Sequence, residues 1–533
     1  MNTTESNTPA LNRAGRRSLA RTGSALGGAG VVVAGSAAAL LAAFAGSAGA
    51  SATLTVDSSA DGTPDATHCT DLTPGNCTLR DAALAAVDGD TITFDAAVTN
   101  ITLTDGGIST RAVSLIGPGS SALTITSAGA AGGYALFYVG GVGDAVISGM
   151  TLTKNRTQTS NDGKFTLDDV AITGSTGAYG GALYAGNIGD LEIKNSRFED
   201  NYATDNGGAI YIYNNHDTTI TNSDFLNNES ATAGGAIYAS YANNVSLIDS
   251  EVSGNRAAEH GGGLYFGMGN EYAVNIIGCT LDSNASDSYG GAVYFGESLT
   301  VVVSDTTVSN NTANGGAGLD FDGSNIDATI NNSTITANTT SNGGAGVYIN
   351  VGSSLTINQS TISANTAQGT ASQSYGGGGI AIGNSTAVVT LSGTIVSGNT
   401  AAIAGAADIG LYSSTLSDTG SFTATNSLIG EVDSRVTANG TNNVNSTDPM
   451  LGALADNGGA TKTMAPLPGS PAIDAGPNPV ATFTGNQFDQ RGDGFARVVG
   501  GLVDIGAFEI QPAPEPTTTT AGTDEPVAPA FTG

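Results

Sequence analysis

The sequence predicts an all-β fold, a parallel β-helix with rungs of about 27 residues and a cap at each end, and three observations carry that prediction. First, Asn201, Asn228, Asn255, Asn284, Asn311, Asn338, Asn365 and Asn399 recur at intervals of 27, 27, 29, 27, 27, 27 and 34 residues. A fixed period of this size marks a solenoid. Second, glycine pairs keep the same beat, from Gly180-Gly181 and Gly207-Gly208 through Gly290-Gly291 to Gly376-Gly377. Third, apolar residues alternate, in Leu183/Ala185, Ile210/Ile212, Leu264/Phe266, Val293/Phe295, Leu319/Phe321 and Val347/Ile349, and again in Leu191/Ile193, Val245/Leu247 and Val301/Val303. That is strand period, not helix period.

A third short segment carries Phe198, Phe225, Val252, Leu281 or Val308, so three strands and three turns close one rung. One rung cannot bury its inward side chains, so stability must come from stacking like residues at about 4.8 Å. Gly-Gly suits a turn that needs positive φ. The Asn column is expected to hold a left-handed turn position and to bond amide to amide between rungs. Gly207-Gly208-Ala209-Ile210, with Phe198-x-x-Asn201 and Phe225-x-x-Asn228, resembles the GGA[ILV] and FxxN repeats of polymorphic outer membrane proteins. The resemblance is to the right-handed parallel β-helix repeat type, since most rungs replace the Phe by Val, Leu or Ile.

Composition agrees with many thin rungs: 77 Gly in 533 residues, no Trp and 6% aromatic residues. The net charge is −31, and loss of the first 50 residues would make it −34. Such a chain repels nucleic acid and anionic lipid. Between Ala178 and Thr400 the basic residues are Lys194, Arg197 and Arg256.

Taken in order, residues 1–50 read as an export signal, with Arg13, Arg16, Arg17 and Arg21 before a weakly apolar run and Ala48-Gly49-Ala50. Arg16-Arg17-Ser18-Leu19-Ala20 resembles a twin-arginine signal, and an ordinary Sec signal reads equally well. No transmembrane span is expected in the mature chain. Residues 51–126 form the expected N-terminal cap and first rungs. There Cys77-Thr78-Leu79-Arg80-Asp81-Ala82 resembles the CSLREA motif, with Thr78 and Asp81 in place of its Ser and Glu. A short helix from Leu79 to Val87 would cover the open first edge, with Arg80 and Asp81 in capping roles. Cys69 and Cys77 are expected to pair as a disulfide, a metal pair with His68 lacking further ligands. Cys279 is expected to be a packed, inert thiol.

Residues 127–445 are the expected repeats. The usual Asn-to-GlyGly gap widens to 25 residues after Asn155 and to 11 after Asn365, which reads as two insertions from one edge. Residues 446–510 carry Gly469-Ser470-Pro471-Ala472-Ile473-Asp474-Ala475-Gly476, Asp489-Gln490-Arg491-Gly492 and Asp504-Ile505-Gly506-Ala507-Phe508-Glu509, which closely resemble the choice-of-anchor Q domain. That resemblance implies a secreted bacterial surface protein. Asp474, Arg491, Asp504 and Glu509 read as turn residues that satisfy backbone groups at the solenoid end, not as a catalytic cluster. Residues 511–533 read as a disordered Pro/Thr/Glu stalk.

The candidate ligand site is a column of tyrosines, each directly after an inward residue: Tyr184, Tyr211, Tyr238, Tyr265, Tyr294 and Tyr348, interrupted by Asp320. It reads either as a stabilising aromatic stack or as a strip that accepts sugar rings. Catalysis is harder to place. A uronate lyase needs basic residues or calcium, and a hydrolase needs two carboxylates about 5 to 9 Å apart. Asp320 and Asp322 are expected to face outward, with Asp287 or Glu297 a rung away. Gly315 to Asp322 partly matches a calcium-binding nonapeptide, once and without its period. His216 and His260 read as surface turn histidines, and no metal or cofactor is expected. The function expected is a secreted or surface-attached, monomeric, adhesin-like or carbohydrate-contacting protein without catalysis, its partner a neutral polysaccharide or cell-surface ligand. A polysaccharide lyase or glycoside hydrolase on the same scaffold is the alternative.

Overall fold

The structure, a computed structural model, describes residues 51–70, 73–128, 137–154, 156–267, 272–369, 376–402, 404–413 and 417–512. The expected export signal and almost all of the expected stalk lie outside the described residues.

The described chain coils into a parallel β-solenoid with three sheets of 12, 27 and 9 strands. In one rung, Ile210–Tyr213 belongs to the 12-stranded sheet, Asp217–Thr221 and Asp224–Leu226 to the 27-stranded sheet, and Glu229–Ser230 to the 9-stranded sheet. Each strand pairs in parallel with its equivalent in the next rung, as in Ile210↔Ile237 and Phe225↔Val252. The alternating residues point into one continuous core. Phe198 stacks on Phe225 at 4.9 Å, and Phe295 on Phe266 and Phe321 at 5.6 and 4.7 Å. Each such ring buries apolar area that stabilises by about 2–3 kcal/mol, and only stacking neighbours make that burial possible.

Two corners of the rung carry polar ladders. Asn228 donates its side-chain N–H groups to Asn255 Oδ1 at 2.9 Å and to Phe198 O at 3.0 Å, and the pattern runs rung after rung. The left-handed conformation expected of this column falls one residue earlier, at Asp200, Asn227, Gly254, Ser283 and Asn310. The ladder residue itself must keep its amide free to reach up and down. A second ladder, of Ser196, Ser223, Ser250, Cys279, Thr306, Ser333 and Ser360, runs along the other corner; Ser223 N–H, for example, donates to Ser250 Oγ at 3.1 Å. Gly207 takes φ 71°, as a glycine-pair turn requires.

The 25-residue gap after Asn155 is a complete rung and not an insertion. Thr157–Thr159 pairs with Leu183–Ala185, and Phe165–Thr173 pairs with both Leu191–Lys194 and Arg197–Glu199. The rung lacks the glycine and asparagine markers, but it keeps the alternation that burial requires. Ser175 stands in the Asn column and donates its N–H to Asn201 Oδ1 at 3.0 Å. Arg156 is buried beside the first strand of the 9-stranded sheet and donates to Gly180 O and Tyr179 O at 3.0 and 2.8 Å. The 11-residue gap after Asn365 follows Thr366–Ala367, and its residues 370–375 lie outside the described residues.

At the N-terminal end, helix α1, Leu79–Ala85, packs against strands Thr53–Val56 and Ile108–Thr110. Thr78 and Asp81 form a capping box, and a disulfide joins Cys69 to Cys77. Residues 446–510 do not sit over the far end. They lie along the flank of the 27-stranded sheet, where Thr334 Oγ1 donates to Gln490 Oε1 at 2.6 Å and Thr361 Oγ1 accepts Ala507 N–H at 3.0 Å. The reason is written in the outward positions: Arg197, Asp224 and Glu251 on uncovered rungs give way to Thr307, Thr334 and Thr361, which are buried under this layer. No described helix is long and apolar enough to cross a membrane.

Candidate functional site

The register of the 12-stranded sheet sets Tyr184, Tyr211, Tyr238, Tyr265, Tyr294, Asp320 and Tyr348 on seven consecutive rungs. The first five rings stack nearly parallel, with centroids 5.4, 5.2, 4.6 and 5.1 Å apart. Each face is covered by the next ring. Burial pushes the Tyr265 hydroxyl up to about 12. The faces of Tyr211, Tyr238 and Tyr265 are therefore taken, and the stabilising stack describes this part of the column better than a sugar platform does.

The column changes at Asp320. Expected to face outward, its side chain is instead fully buried. Tyrosines on the rungs above and below project farther than an Asp can, and Tyr412 reaches down from beyond Ala381 and Gly410 to meet Tyr348 edge-on at 4.8 Å. Between these rings lies a recess of about 120 Å³ lined by Tyr289, Gly315, Gly316, Asp322, Tyr348 and Tyr412. Neither carboxyl oxygen of Asp320 has a hydrogen-bond partner. The Gly290 N–H, which bonds Gly315 O at 3.1 Å, also acts on this carboxyl and lowers its pKa, without outweighing burial. Burial, with the neighbouring Asp322 charge, raises the Asp320 carboxyl well above its ordinary range.

Asp322 stands at the mouth. It accepts the Tyr294 hydroxyl at 3.0 Å and an Asn350 side-chain N–H at 3.1 Å. His260, read as a surface turn residue, belongs here: its ring stacks on Tyr294 at 4.9 Å and on Tyr289 at 5.8 Å, and burial lowers its pKa. It is drawn in because its rung's turn lies beside that of Tyr289, to which it bridges. The sequence could not assemble this group, since Tyr289, His260 and Tyr412 come from turns and not from the repeating strand position. His216 is exposed, Glu297 is exposed, and Asp287 pairs with Arg256 at 2.6 Å, so none of them joins the two aspartates.

Residues 96–302 match the family model described as right handed beta helix region. No curated protein matches the chain. Among solved structures, two mutant forms of the periplasmic alginate epimerase AlgG are similar to this β-helix, each at 10% identity with a TM-score of 0.38, covering 69% of this chain and 83% of the epimerase.

The other candidates are structural. Asp489 holds Arg491 through contacts of 2.6–3.1 Å, and the guanidinium lies 4.0 and 3.7 Å from the Phe495 and Phe508 ring centres. Asp504 accepts the N–H groups of Asp474 and Ile510, both at 2.8 Å, and Glu509 accepts that of Asp504 at 2.7 Å. These four candidates serve the C-terminal layer, on the flank and not at the end. Cys279 is buried and its thiol is pushed up to about 12 by burial, so it is inert. A larger hollow of about 560 Å³ opens beside α1, but its basic group, Arg80, is engaged by Asp61, Gly106 O and Gly107 O.

Proposed function

We propose that this chain is an exported, surface-held β-helix that contacts carbohydrate without cleaving it, and that it does so at the Asp320 gap in its tyrosine column. The gap is the observation that carries this reading. A recess of about 120 Å³ opens beside this break, walled by Tyr289, Tyr348 and Tyr412 with Asp322 among its lining residues. A site walled by aromatic rings with a few convergent polar groups is the common form of a small-ligand pocket. The adhesin-like, surface-held part of the reading is supported by the resemblance of residues 446–510 to an anchor domain and by the acidity of the chain.

A glycoside hydrolase is the second reading, favoured by one carboxyl raised by burial, Asp320 in strand Leu319–Phe321, two residues from another, Asp322, just past the end of that strand. Against it, Asp320 exposes no atom from which to protonate a glycosidic oxygen. Binding of the purified chain to a polysaccharide array, with product analysis of every hit, separates the two. Retention that weakens in Tyr348→Ala, with no oligosaccharide released, is expected. Released product would replace the binding reading with the hydrolytic one.

A further inference from the structure

Three exposed tyrosines stand outside the stacked column, at its N-terminal end. Tyr179 precedes strand Leu183–Gly186, Tyr213 ends strand Ile210–Tyr213 and Tyr241 follows strand Ile237–Ser240. With Tyr211 they form an unbroken row across the 12-stranded sheet. Ring centres are 5.1 Å apart from Tyr179 to Tyr211, 6.2 Å from Tyr211 to Tyr213 and 5.6 Å from Tyr213 to Tyr241. Tyr211 gives its faces to the column, but Tyr213 is not covered in that way. The equivalent positions on the adjoining rungs are Gly186 and Ser240, which carry no ring. Tyr241 meets Tyr213 edge-on, at 72°, so the two rings make an open corner.

Tyr241 also sits where a bulky residue is unfavourable. Its φ is 56°, in a corner held left-handed on other rungs by Asn187, Asn214, Ser298, Asn325 and Gly352. Asn and Gly tolerate that conformation, whereas a large side chain there is an outlier. Burial does not explain the choice, because Tyr241 is 46% exposed. Local strain that packing does not offset points to function. The polar groups beside the row are amides: Asn187, Asn214 and Asn243 are exposed, and Asn214 donates to Asn187 Oδ1 at 2.7 Å. The basic residues between Ala178 and Thr400 lie elsewhere, Lys194 and Arg197 on the 27-stranded sheet and Arg256 on the 9-stranded sheet. Exposed rings match the apolar C–H face of a sugar, and an acidic chain with no cation at the row repels a uronate.

We propose that this transverse row binds an extended, uncharged polysaccharide, with one sugar ring in the corner of Tyr213 and Tyr241 and the chain continuing toward Tyr179. This rests on the reading of the molecule as a carbohydrate contact. It adds a second site, five rungs and about 24 Å along the axis from Tyr348.

The test is calorimetric titration of the full chain with cellohexaose, its N-acetylglucosamine counterpart and hexagalacturonate. At least one neutral hexamer is expected to bind, at least tenfold more tightly than hexagalacturonate. Tyr241→Asn supplies a residue that the corner accepts on other rungs. It is expected to melt no lower than the parent and yet to weaken that binding at least tenfold, as is the binding of Tyr213→Ala. Unchanged affinity in Tyr241→Asn would overturn the proposal, as would equal binding of hexagalacturonate. A Tyr241→Asn variant that melts well below the parent would show a structural residue instead. Tyr348→Ala separates the two sites. Loss of binding there, with Tyr241→Asn unaffected, would overturn the row and leave the recess as the contact. Loss in Tyr241→Asn, with Tyr348→Ala unaffected, would support the row and remove the recess. Binding of neither neutral hexamer would remove both.

Discussion

Asn284 shows what a single side chain contributes to this fold. Its amide donates to Asn311 Oδ1 at 3.0 Å and to Val252 O at 2.9 Å, while its Oδ1 accepts both N–H groups of Asn255, at 3.1 and 2.9 Å. Asn284→Asp would set a carboxylate oxygen against two acceptors. It is expected to destabilise by about 3 kcal/mol or more, against about 2 for Asn284→Ala, because a buried charge is left facing acceptors. Urea unfolding measures both, and an Asp variant as stable as the parent would refute the ladder's role. The last member confirms the polarity of the ladder: Asp408 takes the place of the next amide, accepting Asn399 at 2.8 Å and Glu431 N–H at 2.7 Å with nothing further to donate to. Asp320 is the opposite case. Its folded pKa lies above the ordinary 3.8, so from about pH 4 upward the unfolded chain loses a proton that the folded chain keeps, and stability falls as pH rises. Asp320→Asn removes that loss. It is expected to match the parent at pH 4 and to exceed it by about 1 kcal/mol or more at pH 7, and thermal melts at the two pH values decide.

At the scale of elements, α1 and its arginine hold the open end. Arg80 donates to Asp61 at 2.8 and 3.1 Å and to two carbonyls of the Gly106–Gly107 turn, with Asp61 almost wholly buried. Arg80→Ala leaves a buried carboxylate without its cation and is expected to cost about 3 kcal/mol. A solenoid transmits such a loss only to its neighbours. Hydrogen exchange should quicken in Thr53–Val56 and Thr91–Phe94 while the rungs around Asn284 keep their protection. Uniform loss along the chain would refute this locality. The same dependence on neighbours explains what could be read beforehand. The repeating inward residues from Leu183 to Ile349 were legible because alternation and period are local patterns. The rung from Thr157 to Gly177 was not, because its marker residues are gone and only its pairing betrays it. The C-terminal layer left a trace in Thr307, Thr334 and Thr361, but which segment covers them is a tertiary fact. The recess was half legible: the column and its break at Asp320 stand in the sequence, whereas the recess beside it is closed by Tyr412, 92 positions further along.

For the molecule as a whole, the buried acids set the pH range of stability. Asp61 is lowered to about 2: burial alone would raise it, but Arg80 and the N–H groups of Asp105 and Thr104 more than offset that, so its contribution is lost as pH falls below about 4. Asp305, Asp320, Asp408, Asp504 and Glu509 are all raised, chiefly by burial. Glu509 is the clearest. Buried in the C-terminal layer, it moves from 4.5 to about 8. Between those values the folded chain holds a proton that the unfolded chain has released, so stability falls with rising pH by up to about 1.4 kcal/mol per unit, and above about 8 this contribution stops changing. Glu509→Gln retains an acceptor for the Asp504 N–H and cannot ionise. The parent chain is therefore expected to be most stable near pH 5 and to weaken toward pH 8. The Gln variant should coincide with it below about pH 4.5 and fall less steeply above. Because residue 509 sits in the layer docked on Thr334 and Thr361, early loss at pH 8 should appear there first, as proteolytic release of the C-terminal layer before the rungs unfold. Parallel pH profiles for the two chains would show that Glu509 is already ionised in the fold, and would leave the slope to the remaining buried aspartates.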